Sequence, residues 1–125
     1  MIRIVIVAAV AMLAGTSAIA QGPFKPSNYT SNTYAAIYLV KKCGLAQPGD
    51  QERLDYLDSW SAKYEKRGAY SAQQANIDAL AANPQFMATY CKAAQSPRNA
   101  EMRAKWDEHI EMAKTYERKL ATGER

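Results

Sequence analysis

The stretch CGLAQPGDQERLDYLDSWSAKYEKRGAYSAQQANIDALAANPQFMATYC, Cys43 to Cys91, holds the only two cysteines of the chain and the periodic segments that decide its fold. Asp50 follows Pro48-Gly49 as a helix cap. Leu54, Leu57, Ser61 and Tyr64 then form one row, widened by Tyr56 and Trp60, which predicts a helix over about 51–67 closed by Gly68. Ser71-Ala72-Gln73-Gln74 has the form of a capping box and opens a short helix carrying Ala75, Ile77, Leu80 and Ala81. Asn83-Pro84 reads as a cap followed by proline at the first helical position. It starts a helix over about 84–94 with Phe86, Met87, Tyr90, Cys91 and Ala94 turned inward.

Upstream of this stretch, Gly44 supplies a left-handed stop for a helix ending at Lys42. That helix is expected from Ser31 or Asn32, with Tyr34, Ile37, Tyr38 and Lys41 on one side and Ala36, Val40 and Cys43 beside them. Residues 21–30 hold two prolines and a glycine without helical periodicity, and read as an extended arm whose Phe24 and Tyr29 pack back on the body. Before the arm, Arg3, the apolar run from Ile4 to Leu13 and the small residues Gly15, Thr16 and Ser17 lead to Ala18-Ile19-Ala20. Basic, apolar and small regions in that order predict a secretory signal peptide cut near Ala20. The apolar run falls short of the roughly 20 residues that a membrane-spanning helix needs. Downstream of Cys91, Ser96-Pro97 repeats the start signal. Met102, Trp106, Ile110, Ala113 and Leu120 stripe a last helix over about 97–121, interrupted by Glu117.

The expected fold is all-α: a small irregular bundle of about five helices stapled by one disulfide. The chain divides into a leader, 1–20, an arm, 21–30, and a single helical domain, 31–125. An exported chain matures in an oxidising compartment, so Cys43 and Cys91 are expected to pair. Closing a loop of that length stabilises a fold by about 4 kcal/mol in the chain-entropy account, a large share for so small a domain.

Setting Arg3 aside with the leader leaves 15 Lys and Arg against 12 Asp and Glu. The basic residues recur among acids or at helix ends, where cations suit the helix dipole. They read as solvated faces and argue against a nucleic-acid partner.

No motif for catalysis or cofactor binding is present: no glycine-rich phosphate loop, no G-x-S-x-G and no C-x-x-C. A zinc site needs three or four Cys, His or carboxylate ligands, but the one histidine, His109, stands apart and the cysteines are expected to be spent on each other. His109 lies on the rim of the last helix's stripe and reads as a partly buried helical residue. Asp55 with Asp58, and Glu108 with Glu111, stand three residues apart, a spacing common on any solvated helix. No catalytic, cofactor-binding or metal-binding residue is therefore assigned. Aromatic residues are the abundant currency; most must serve the core, and Tyr29, Tyr56, Tyr70 and Tyr116, off or beside the main stripes, are the candidates for exposure.

Cys43, Pro84 followed by Cys91, and Lys105-Trp106-Asp107 with Ile110 together resemble the HdeA-type periplasmic acid-stress chaperones. Those are small exported helical proteins with one disulfide of similar span and a following helix that bears a tryptophan. This chain differs in that Cys43 closes a helix where that family's first cysteine opens one. The resemblance implies a protein that loosens in acid and exposes apolar surface to unfolding clients. No client-binding residue carries over.

The resulting expectation is a non-enzymatic periplasmic or secreted protein that binds another envelope or periplasmic protein, as an accessory factor or a stress-related holdase. A small envelope hydrolase and a carrier of a small apolar ligand are the alternatives. Neither a cofactor nor a membrane span in the mature chain is expected, and the sequence leaves the oligomeric state open.

Overall fold

The computed structural model describes residues 22–124, so the expected leader over 1–20, Gln21 and Arg125 lie outside the described residues. The helices follow in order: α1 (Ser27–Lys42), α2 (Asp50–Tyr64), a 3₁₀ turn (Tyr70–Gln73), α3 (Gln74–Ala81), α4 (Pro84–Ala93) and α5 (Arg98–Thr122). No strand occurs among the described residues, and one disulfide links helices, so the fold is the expected all-α bundle. The chain divides into two compact units, Pro26–Lys114 and a smaller one whose described residues are 22–25 and 115–124. In the smaller unit Phe24 and Leu120 are exposed.

α1 begins at Ser27, earlier than its punctuation suggests, so Ser27–Thr30 form a helical turn and not the end of an extended arm. The Pro26 carbonyl accepts both the Thr30 amide, at 3.0 Å, and the Thr30 hydroxyl, at 3.1 Å. Thr30 is fully buried and its hydroxyl lies 2.7 Å from that of Tyr70. This tertiary anchor overrides the weak helical propensity of Ser-Asn-Tyr-Thr. Further along, Tyr34, Ile37, Leu39 and Val40 are buried, while Lys41 is exposed. Gly44, at a φ of 75°, turns the chain out of α1, and Gly49, at 94°, turns it into α2; both angles are ones that side chains with a Cβ rarely adopt.

α2 packs along α1 and buries Leu54, Leu57, Trp60 and Ser61. It stops at Tyr64, before the expected end, because Glu65 is extended and Gly68 reverses the chain at a φ of 84°. The Ser61 hydroxyl accepts the Tyr70 amide at 2.8 Å, and the Asp58 carboxylate accepts the Ser71 amide at 2.6 Å. α2 thus caps the 3₁₀ turn, and α3 starts at Gln74 with no side-chain cap of its own. Tyr70, a candidate for exposure, is buried. Burial pushes its hydroxyl up to about 12, with Glu65 adding to the rise and the Thr30 hydrogen bond opposing it.

Asn83 does cap α4, accepting the Phe86 amide at 3.0 Å ahead of Pro84. The expected inward set of this helix is only half-buried at Phe86, Met87, Tyr90 and Cys91; Ala94, just past its end, is buried. α5 contributes Trp106 and Ile110 to the core shared with Tyr34, Ile37, Val40, Leu54, Leu57 and Tyr70.

Cys43, at the end of α1, is bonded to Cys91 in α4, with the two Cα atoms 5.5 Å apart. Replacing both cysteines with serine is expected to lower the unfolding free energy by about 4 kcal/mol, because the open chain regains the entropy of a long loop. Urea denaturation of the oxidised protein and the double variant, followed by circular dichroism, measures the difference.

Candidate functional site

Neither α3 nor α4 buries a single residue. α3 presents Ala75, Ala79 and Leu80 to solvent, Leu80 at 47% exposure, and α4 adds the exposed Ala88 and the half-buried Met87. A shallow groove of about 610 Å³ runs over this hairpin and is lined by Ala81, Ala82, Met87, Ala88 and the two cysteines, with Lys42 and Asp78 at its rim. Only Ile77 and Tyr90 reach the core from the hairpin, both half-buried.

Polar contacts hold α3 to α1. Gln74 donates to the Tyr34 hydroxyl at 2.8 Å, and the Tyr38 hydroxyl donates to Asp78 at 2.9 Å. The Lys42 ammonium also lies 2.9 Å from Asp78. Hydrogen bonds from Lys42 and Tyr38 hold the Asp78 carboxyl below the usual carboxylate range. The two contacts to Asp78 are exposed, so they are screened and easily exchanged for water, whereas the Gln74–Tyr34 bond is partly buried. The disulfide is the covalent attachment.

The opposite regime holds at the start of α2. Asp50, expected as a cap, is instead the first helical residue and is buried. Arg103 of α5 grips its carboxylate with Nε at 3.1 Å and Nη2 at 2.5 Å, and Arg53 adds Nη1 at 2.9 Å. The Gln47 amide donates from the loop at 2.8 Å, and Arg103 also reaches the Leu45 carbonyl at 3.2 Å. Arg53 turns outward to clasp Asp107 with two bonds, at 2.8 and 3.1 Å. Gln47 continues to Asn99, at 3.1 Å, and Asn99 to the Ala94 carbonyl, at 3.0 Å. One network therefore joins the α1–α2 loop, α2, α5 and the end of α4. Burial opposes ionisation of Asp50. The Arg103 hydrogen bonds, the Gln47 amide and the charges of Arg103 and Arg53 outweigh it and leave the carboxyl below its ordinary value. The bond from Arg53 lowers Asp107 in the same direction.

None of this network was apparent from the sequence, but a signal existed. The buried face of α5 runs Asn99, Arg103, Trp106, Ile110, Ala113, and a charged residue at helical spacing within an apolar stripe marks a buried partner. The expected stripe took in Met102 and Leu120, which are half-buried and exposed.

His109 is half-buried, with Nδ1 2.7 Å from the Thr33 hydroxyl and its ring tilted against that of Tyr29 at 5.0 Å. Burial pushes the imidazole below its usual value. A hydroxyl beside an imidazole has the outline of a nucleophile and its base. Thr33, however, lies inside α1, where the neighbouring backbone amides are committed to the helix ladder and cannot form an oxyanion hole. The pair works as a tie between α1 and α5.

The paired carboxylates do not converge. Asp55 accepts from Gln51, Asp58 caps the 3₁₀ turn, Glu108 meets Lys105 and Glu111 meets Lys114. No group of three His, Cys, Asp or Glu among the described residues is placed to hold a metal ion, and no described helix is long and apolar enough to cross a membrane. Of the other tyrosines named as candidates for exposure, Tyr29 is exposed, while Tyr56 and Tyr116 are half-buried. No family model, curated protein or solved structure matches the chain.

Asp50→Asn leaves Arg103 buried without a counter-charge, and is expected to cost about 3–5 kcal/mol at neutral pH. Because the folded carboxyl titrates below its unfolded value, its contribution is complete above the ordinary carboxylate range. It is lost as pH falls through the depressed value. Urea denaturation at a series of pH values should therefore show the gap between the two proteins closing between about pH 5 and about pH 2.

Proposed function

We propose that this protein binds other polypeptides in the cell envelope without enzymatic turnover, and that the α3–α4 hairpin is its binding element. The observation that carries the reading is that the two helices bury no residue of their own, expose Leu80 and a run of alanines, and stay covalently attached through Cys43–Cys91. Segments with few buried contacts open at low free-energy cost, and a tether keeps an opened segment beside the body.

The occupant that fits is an unfolding chain with exposed apolar residues, and the stress-related holdase is the version of this reading we favour. Acid protonates Asp78, Asp50 and Asp107, weakening the ties of α3 to Lys42 and Tyr38 and leaving Arg53, Arg103 and the other cations to repel one another. The likeness to the HdeA-type chaperones, carried by Cys43, Cys91 and Trp106, points the same way. A dedicated envelope partner is the other version, in which the hairpin serves one protein and needs no acid.

The test is light scattering from a mixture of periplasmic proteins shifted to about pH 2–3, where carboxylates protonate, with and without the oxidised mature protein. Suppression is expected, and it should fall when Leu80 and Met87 are both replaced by lysine, substitutions at positions that the core does not need. Scattering that is unchanged at several-fold molar excess would remove the holdase, and crosslinking in the intact envelope would then address the dedicated partner.

A further inference from the structure

A second groove lies between α1 and α5, away from the residues of the α3–α4 hairpin. It is open to solvent along its length and has a volume of about 400 Å³, within the roughly 300–1,000 Å³ of small-molecule sites. α5 supplies Arg98, Glu101, Met102, Lys105, Trp106 and His109, one face at spacings of three and four, and α1 supplies Ala36, whose small side chain leaves the space. The floor is apolar, made by Trp106 and Met102. From Arg98 to His109 the groove follows α5 for about 16 Å, so its shape suits an extended chain.

The two ends differ. At the His109 end the imidazole is engaged with Thr33 and covered by Tyr29, and burial disfavours its charge. At the other end Arg98 is exposed and makes no ion pair or hydrogen bond among the described residues, and it stands at the first turn of α5, where an anion is favoured. Between them Lys105 is held by Glu108, while Glu101 lies on the rim and forms no ion pair among the described residues. With Lys105 neutralised by Glu108, Arg98 is the rim cation left to meet an anion, and Glu101 beside it limits that anion to a single charge.

We propose that this groove binds a linear amphipathic monoanion, a medium-chain fatty acid, with its chain along Trp106 and Met102 and its carboxylate on Arg98. The assignment is independent of the hairpin reading, since no residue is shared.

Isothermal titration of the oxidised protein at neutral pH with dodecanoate, below its micelle concentration, is expected to show saturable binding of one molecule. Dodecanol and dodecyltrimethylammonium, which keep the chain and change the head, should bind at least ~tenfold more weakly, about 1.4 kcal/mol. Arg98→Glu, at an exposed position, and Ala36→Leu, which fills the groove, should each weaken dodecanoate by at least that factor. Trp106 fluorescence should shift in the parent and not in Ala36→Leu. Absence of saturable binding, equal affinity for dodecanol, or undiminished affinity in Arg98→Glu would each overturn the proposal. So would binding to phosphatidylglycerol vesicles with none to free dodecanoate.

Discussion

The carboxylate of Asp50 is the joint on which the larger unit turns. It stands where α2 begins, beneath a guanidinium from α5, and accepts an amide from the loop that leaves α1. Without it, three elements that meet at one corner of the core would present a buried cation and unpaired backbone groups to one another. Its contribution is mainly to specificity. Desolvating two ions offsets much of their attraction, and Arg103 keeps one buried nitrogen, Nη1, without a hydrogen-bond partner. A polar joint of that kind tolerates few alternative registers of α5 against α2, because a one-turn slip would strand both charges. The aligned N–H groups at the start of α2 add a favourable field for the carboxylate.

Around that joint the molecule is held in two different ways. α1, α2 and the first part of α5 share Ile37, Val40, Leu57 and Trp106 in a dry core, and buried hydroxyls reinforce it: Thr30 with Tyr70, and Ser61 with the Tyr70 amide. α3 and α4 lie outside this regime, attached by solvent-exposed polar contacts, by Ile77 and Tyr90, and by the disulfide. The staple is therefore placed where burial is thinnest. It restricts the hairpin's excursions without requiring the hairpin to bury its alanines and Leu80.

How much of this was legible follows from what kind of interaction made each element. Helix existence rests on local periodicity and punctuation, so α1 to α5 were all foreseen, and Gly44 and Asn83-Pro84 act as the sequence suggests, whereas Gly68 turns the chain four residues after α2 has ended. The misplaced boundaries, Ser27 for α1 and Tyr64 for α2, lie where a distant group intervenes: the Tyr70 hydroxyl on Thr30, and the Tyr70 and Ser71 amides on Ser61 and Asp58. The Asp50–Arg103 pair spans 53 residues and Thr33–His109 spans 76, and no local pattern encodes which polar residue meets which. The apolar character of α3 and α4 was visible; that it would be left uncovered was not, because exposure depends on whether another element arrives to bury it. The groove between α1 and α5 was hidden for the complementary reason, since a small residue such as Ala36 reads equally well as tight packing or as empty space.

Acid acts on both halves through the same chemistry, with unequal effect. At the hairpin, neutralising Asp78 removes a partner from Lys42 and Tyr38, both of which water can satisfy. At the joint, neutralising Asp50 leaves Arg103 buried and charged beside Arg53, and a guanidinium keeps its proton at any pH a protein meets. The hairpin's ties are thus the cheaper to release, although both carboxyls, Asp78 beside Lys42 and Tyr38 and Asp50 beside Arg103 and Arg53, are held below the ordinary carboxylate range. Neutralising Asp78 thus weakens the attachment of the element whose apolar surface is least covered. Because Cys43–Cys91 survives protonation, the loosened segment remains tied to the end of α1.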